Sequence, residues 1–199
     1  GNLLLIGYLV LGSACGLATS DADRVARAVD QIAEGQYRTA MIELKNVLAN
    51  DPDNADARLL LAEVSLNLGD IESAEKELSR ATDLGVVSRS AVSMHYRILL
   101  AKGKFADVLA ELGQGANNLE EADISLYRGQ ALLGLGSYAP AEKVFRDWLE
   151  REPNSVAARM GLASALGAQS LWEDARASLN SVLSESPSDV AALQALATI

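Results

Sequence analysis

The segment GQYRTAMIELKNVLANDP, Gly35–Pro52, carries a glycine, an aromatic residue two places on, an alanine three beyond that, and a closing proline. The same order returns along the chain. Gly69, Gly103 and Gly136 follow at intervals of 34, 34 and 33 residues, and Ser170 stands 34 further on. Two places behind each comes a bulky residue: Tyr37, Ile71, Phe105, Tyr138, Trp172. Then comes a small or medium one, Ala40, Ala74, Val108, Ala141 or Ala175, and four places later Leu44, Leu78, Leu112, Phe145 or Leu179. Four side-chain classes held in one register across five copies identify a repeat protein.

Each copy reads as two helices. In Asn54–Leu84, the residues Leu59, Leu60, Ala62, Val64, Leu66 and Leu68 form a broad apolar face at helical spacing. Gly69 supplies the positive φ that ends this helix, and Asp70 is placed to cap the next. Ala74, Leu78 and Ala81 then fall on one stripe, with Ala74 small so that the two antiparallel helices can approach. Pro52, Pro153 and Pro187 stop second helices by removing an N–H and fixing φ. Two units depart from the pattern. The second has Val86 in place of the closing proline, and the third ends LGQGANNLEEAD, one residue short and without proline, so its second helix is expected to end early, with 113–121 as an irregular joint. Pro140 lies in the first turn after Ser137, where an N–H lacks an intrahelical partner in any case.

Composition agrees with an all-α solenoid. Of the 199 residues 49% are hydrophobic and only 5% aromatic, with one cysteine and four prolines. The net charge of −10 and the lack of a Lys/Arg cluster on any helix face argue against a nucleic-acid partner. A single Cys excludes an internal disulfide and a multi-cysteine metal site.

A helix–turn–helix of 34 residues with this residue order resembles the tetratricopeptide repeat (TPR). The units fall at 21–54, 55–88, 89–121, 122–155 and 156–189, and 190–199 opens a sixth. The resemblance implies a superhelical solenoid of antiparallel helix pairs that binds protein partners and performs no catalysis. In the sixth unit Val190, Leu193, Leu196 and Ile199 form the stripe expected to pack on the fifth.

Chemistry-bearing residues are sparse. His95 is the only histidine, lies on an apolar helix pattern and has no second catalytic member in sequence, so it reads as a packed or edge residue. GQGANN and GLGSYA contain Gly-x-Gly but follow no strand, which leaves no phosphate cradle. Asp51–Asp56, DPDNAD, lacks the glycine and closing glutamate of a calcium loop and reads as helix capping. Trp148 and Trp172 occupy repeat packing positions and are expected to fill the core. Acidic residues are spread through all units and read as solvated faces. No metal, cofactor or small-molecule substrate is expected.

The N-terminal GNLLLIGYLVLGSACG is uncharged, and its apolar run is short for a membrane span, which needs about 20 residues. It reads as a signal-peptide apolar region lacking its first few residues, over 1–14, with a tether at 15–20. LGSAC resembles a bacterial lipobox, which implies acylation of Cys15 as the mature N-terminus. The departure is Gly12, where that pattern prefers leucine. Gly16, not aspartate, follows the cysteine, so the resemblance favours the outer membrane, on the periplasmic side.

In a TPR solenoid the first helices line the concave surface. Here that surface is assigned Leu59, Glu63, Leu66, Asn67, Ser93, Arg97, Leu100, Leu126, Gln130, Leu133 and Met160. The mix is apolar with a few polar ends and lacks the Lys/Asn/Arg set of carboxylate-clamp TPRs. The stretch Ala40–Gly85, directly after the lipobox-like leader, closely resembles the TPR-repeat lipoprotein of PEP-CTERM/exosortase systems. That resemblance implies a membrane-anchored envelope scaffold linked to exopolysaccharide and protein sorting. Two other readings stay open: another envelope TPR adaptor, in polysaccharide secretion or outer-membrane assembly, or the regulatory TPR region of a larger enzyme.

Overall fold

The computed structural model describes residues 20–115 and 118–198. Among these residues the chain is a series of helices in antiparallel pairs: α1 (Asp21–Ala33) with α2 (Tyr37–Asn50), α3 (Ala55–Asn67) with α4 (Ile71–Asp83), α5 (Arg89–Ala101) with α6 (Phe105–Gln114), α7 (Glu121–Gly134) with α8 (Tyr138–Arg151), and α9 (Val156–Ala168) with α10 (Trp172–Glu185). A last helix, α11 (Val190–Thr198), packs on α10. Leu59 through Leu66 do lie on α3, Leu68 is its C-cap, and no strand interrupts the described residues.

The turn inside each pair is the structural reason for the recurring glycine. Gly35, Gly69, Gly103 and Gly136 have φ of 73°, 79°, 70° and 71°. That left-handed step lets the next N–H reach back five residues: Gln36 donates to the Gln31 carbonyl, Asp70 to Ser65, Lys104 to Leu99 and Ser137 to Leu132. Ser170 takes the same conformation at φ 63°, and Leu171 donates to the Leu166 carbonyl in the same way. The expected caps form as well. Asp70 accepts from the Ser73 N–H and Asn54 from the Ala57 N–H, while Ser20 and Asp23 cap α1 reciprocally. In the second unit the stop that proline provides elsewhere comes from Gly85, at φ 92°, just after α4.

The alanine of each unit is fully buried: Ala40, Ala74, Ala141 and Ala175. The slot seven places before the turn is equally small in the same four units, Ala28, Ala62, Gly129 and Ala163, and Ala28 shares a core with Ala40 as Ala62 does with Ala74. The third unit breaks both halves of this contact. Tyr96 and Val108 occupy the paired slots, both buried, and Tyr96 stacks on Tyr127 of α7 with ring centroids 5.4 Å apart. Two larger side chains where two small ones meet elsewhere hold α5 and α6 apart. α6 is also the shortest second helix, 10 residues against 13 or 14, and ends at Gly115 as the short third unit requires.

Three expectations are corrected. Trp148 fills the core at 4% exposure, but Trp172, the first residue of α10, is 46% exposed and stands at the edge of an open cleft that Ala163 and Gly167 also line. Glu77 is not solvated: it is buried on α4 against Arg58 of α3, at 2.5 Å, and Arg58 also donates to the Pro52 carbonyl. In α11 the buried residue is Ala192, whereas Val190 and Leu193 face outward, since a small residue allows the closest approach to α10.

Candidate functional site

First helices of neighbouring units touch in series, α1 with α3, α3 with α5, α5 with α7 and α7 with α9, whereas second helices of neighbouring units make no comparable contact. The stack is therefore tighter along the first helices, which take the inner side of the curve. The assigned residues all belong to first helices; on α3, α5 and α7 they fall at i, i+4, i+7, with Asn67 beside Leu66 and Met160 alone on α9, so that they form rows running across the units. Leu59, Ser93, Leu126 and Met160 make one row. Glu63, Arg97 and Gln130 make a second, and Leu66, Leu100 and Leu133 a third. A polar row thus runs between two mainly apolar ones.

The five leucines are half-buried. Leu59 and Leu66 rest against the core of Leu78, Met94 and Ile98, Leu100 and Leu126 against that of Tyr96 and Tyr127, and Leu133 against that of Phe145 and Leu162. Each packs against a core on one side and stays partly open to solvent on the other. The polar row is more open. Arg97 and Gln130 are exposed, and Asn67 holds Arg97 in place across the α3–α5 boundary: its Oδ1 accepts from Arg97 Nη2 at 3.3 Å, while its Nδ2 donates to the Glu63 carbonyl at 3.0 Å. Among the described residues no carboxylate pairs with Arg97. Ser93 turns inward, its hydroxyl hydrogen-bonded to that of Tyr127, whose burial pushes the phenol above its ordinary pKa.

The same register places Val29 of α1, 47% exposed, in the row of Glu63, Arg97 and Gln130, which the sequence assignment omitted although counting back 34 residues from Glu63 reaches it. His95 lies outside these rows. Its Nε2 is 2.8 Å from Glu111 Oε2, a partner 16 residues away in sequence that helix pairing brings close. Among the described residues no three His, Cys, Asp or Glu side chains group to hold a metal ion, and no helix is long and apolar enough to cross a membrane. Cys15, the assigned lipidation site, lies outside the described residues.

Known folds agree with this geometry. A thermophilic TPR protein of Thermus thermophilus superposes with a TM-score of 0.72 at 20% identity, over 90% of this chain and 98% of that one. YrrB, a TPR protein with an unusual peptide-binding site, matches with a TM-score of 0.57 at 16% identity, over 90% of this chain and 93% of that one. The type IV pilus biogenesis factor PilW matches with a TM-score of 0.64 at 19% identity, over 82% of this chain and 76% of that one. No curated protein sequence matches significantly. Family profiles described as tetratricopeptide repeat match residues 31–92, 94–156 and 126–190, and with the helix pairs and their glycine turns they show that the chain belongs to the tetratricopeptide repeat family.

Proposed function

We propose that this chain is a protein-binding scaffold that holds a partner segment along the first helices of units two to four. The observation that carries it is the three-row face, in which half-buried leucines flank the exposed Arg97 and Gln130. Apolar anchors beside a hydrogen-bonding row suit an amphipathic helix or an extended segment. Photo-crosslinking amino acids at Arg97 and Gln130, with Lys143 on α8 as a second-helix control, test it in the native host. Adducts to a common partner from the first two positions alone are expected. Adducts from Lys143 only would move the site to the other side.

The scaffold itself is further proposed to be an envelope lipoprotein anchored through Cys15, of the kind associated with PEP-CTERM and exosortase systems. Support comes from the apolar run ending in Gly-Ser-Ala before the only cysteine, and from the wording of the first two units. Several acyl chains anchor firmly where one binds only marginally. In the full reading frame, Cys15→Ser should abolish labelling by radioactive palmitate and release the protein from membranes. Retention without any label on the wild type would remove the anchor from the proposal.

A further inference from the structure

Packing along the solenoid is uneven. α5 and α6 touch least of the pairs within a unit, and α4 with α5 and α6 with α7 touch less than α2 with α3 or α8 with α9. The sequence accounts for it: Tyr96 and Val108 fill the two slots that hold small residues in the other units, and α6 is the shortest second helix. What results is a solvent-open gap of about 470 Å³ on the second-helix side, between α4, α5 and α6, with Leu78, Ser79, Ala91, Val92 and Glu111 among its walls. Two polar ties cross this region, His95 with Glu111 at 2.8 Å and Lys102 with Glu75 at 2.6 Å, and their side chains are between 31% and 48% exposed. Ion pairs so open to water are weak constraints. The first-helix side is built differently. There α5 is tied to α7 by the Tyr96–Tyr127 stack, by the bonded hydroxyls of Ser93 and Tyr127, and by Arg89, which pairs with Asp123 at 2.8 Å. It is tied to α3 by Asn67, which accepts from Arg97.

We propose that unit three is a hinge: units one and two form one arm, units four and five the other, and the arms rock about α5 as the gap between α4 and α6 changes width. The tied first helices fix the axis of the motion. The gap supplies the travel, because the close-packed interfaces elsewhere resist compression. Narrowing the gap shortens the outer side, flattens the curve and widens the groove that carries Arg97 and Gln130. Widening the gap bends the stack and narrows that groove. The hinge lies behind the proposed partner face but does not depend on what that face binds.

Double electron–electron resonance measures the travel. Nitroxides are attached through Lys45→Cys on α2 and Lys143→Cys on α8, both exposed, in the chain carrying Cys15→Ser and with no partner added. The labelled parent should give a distance distribution about twice as wide as that of Ala91→Leu, which fills the gap, and the variant should lose the short distances. Ser79→Phe enters the gap from an exposed position and should narrow the distribution in the same way with the core untouched. It decides the matter if circular dichroism shows that Ala91→Leu has lost helix. Equal widths for the parent and Ser79→Phe would overturn the hinge: two narrow distributions would mean that the arms do not move, and two broad ones that they move somewhere other than at this gap. Because no partner is present, either result would leave the partner face of Arg97 and Gln130 standing.

Discussion

Ser170 holds φ 63° at a turn where the four preceding units use glycine. A left-handed step costs an L-residue about 1–2 kcal/mol, offset in part by the roughly 0.5–1 kcal/mol of extra chain entropy that glycine loses on folding. Ser170→Gly should therefore raise stability by about 0.5–1 kcal/mol, read as a higher urea midpoint at unchanged slope. A lower midpoint would mean that the serine side chain contributes more than the backbone strain costs. Gly129 and Gly161 answer to a different constraint. A Cβ at either would come within 2.3 Å of the Phe145 ring, which is fully buried where other units place leucine. Gly129→Ala should cost ~1–3 kcal/mol by overpacking, and markedly less in a Phe145→Leu background, a coupling that a double-mutant cycle measures. The turn glycines were legible in sequence because their cause is local. Gly129 and Gly161 were not, because theirs is one ring reached across three helices.

At the scale of the helix pair, Arg58 and Glu77 join α3 to α4 through a buried ion pair, both side chains about 10% exposed. Removing one partner strands the other. Glu77→Ala should lower stability by about 3–5 kcal/mol, whereas the double replacement Arg58→Met with Glu77→Leu should come close to the wild type, as measured by thermal and urea unfolding. Equal losses for both would show that the pair itself stabilises the fold. Sequence reading placed Glu77 on a solvated face because most carboxylates here are so placed, and nothing near it in sequence announces Arg58, nineteen residues earlier. Helix existence, the early end of α6 and the capping roles of Asn54 and Asp70 were legible, since each rests on residues within a turn of the feature. The separation of α5 from α6 was written in Tyr96 and Val108, but it shows only when the slot seven places before each turn is compared across units. The groove residues were legible as helix faces. Their half-burial was not, because it depends on how far each leucine reaches into the neighbouring unit's core.

Among the described residues each unit packs on its neighbours, so stability is approximately a sum of unit and interface contributions. Many of the polar ties are carboxylates with lowered pKa values. Bonds from Arg27 and Arg24 lower that of Glu43 between α1 and α2, Lys102 that of Glu75 between α4 and α5, and Arg146 with Gln169 that of Glu142 between α8 and α9. Ser20 and Ser73 lower those of the capping Asp23 and Asp70. A carboxylate with a lower pKa folded than unfolded adds stability above its unfolded value and loses it as pH falls through the folded one. Acting against this, protonation relieves the self-repulsion of a chain at −10. Repulsion fades first, since carboxylates in ordinary surroundings take up protons before the tied ones. Melting temperature should thus hold level or rise slightly between pH 7 and 5, then fall once pH drops below the ordinary glutamate value of 4.5. Glu43→Gln should lower the melting temperature at pH 7 and make the acid limb shallower, because its share of the linkage is already absent. Melting followed by circular dichroism from pH 7 to pH 3 measures both. A wild type as stable at pH 3 as at pH 6 would mean that relief of repulsion outweighs the tied carboxylates, and a Glu43→Gln limb parallel to the wild type's would take Glu43 out of the linkage.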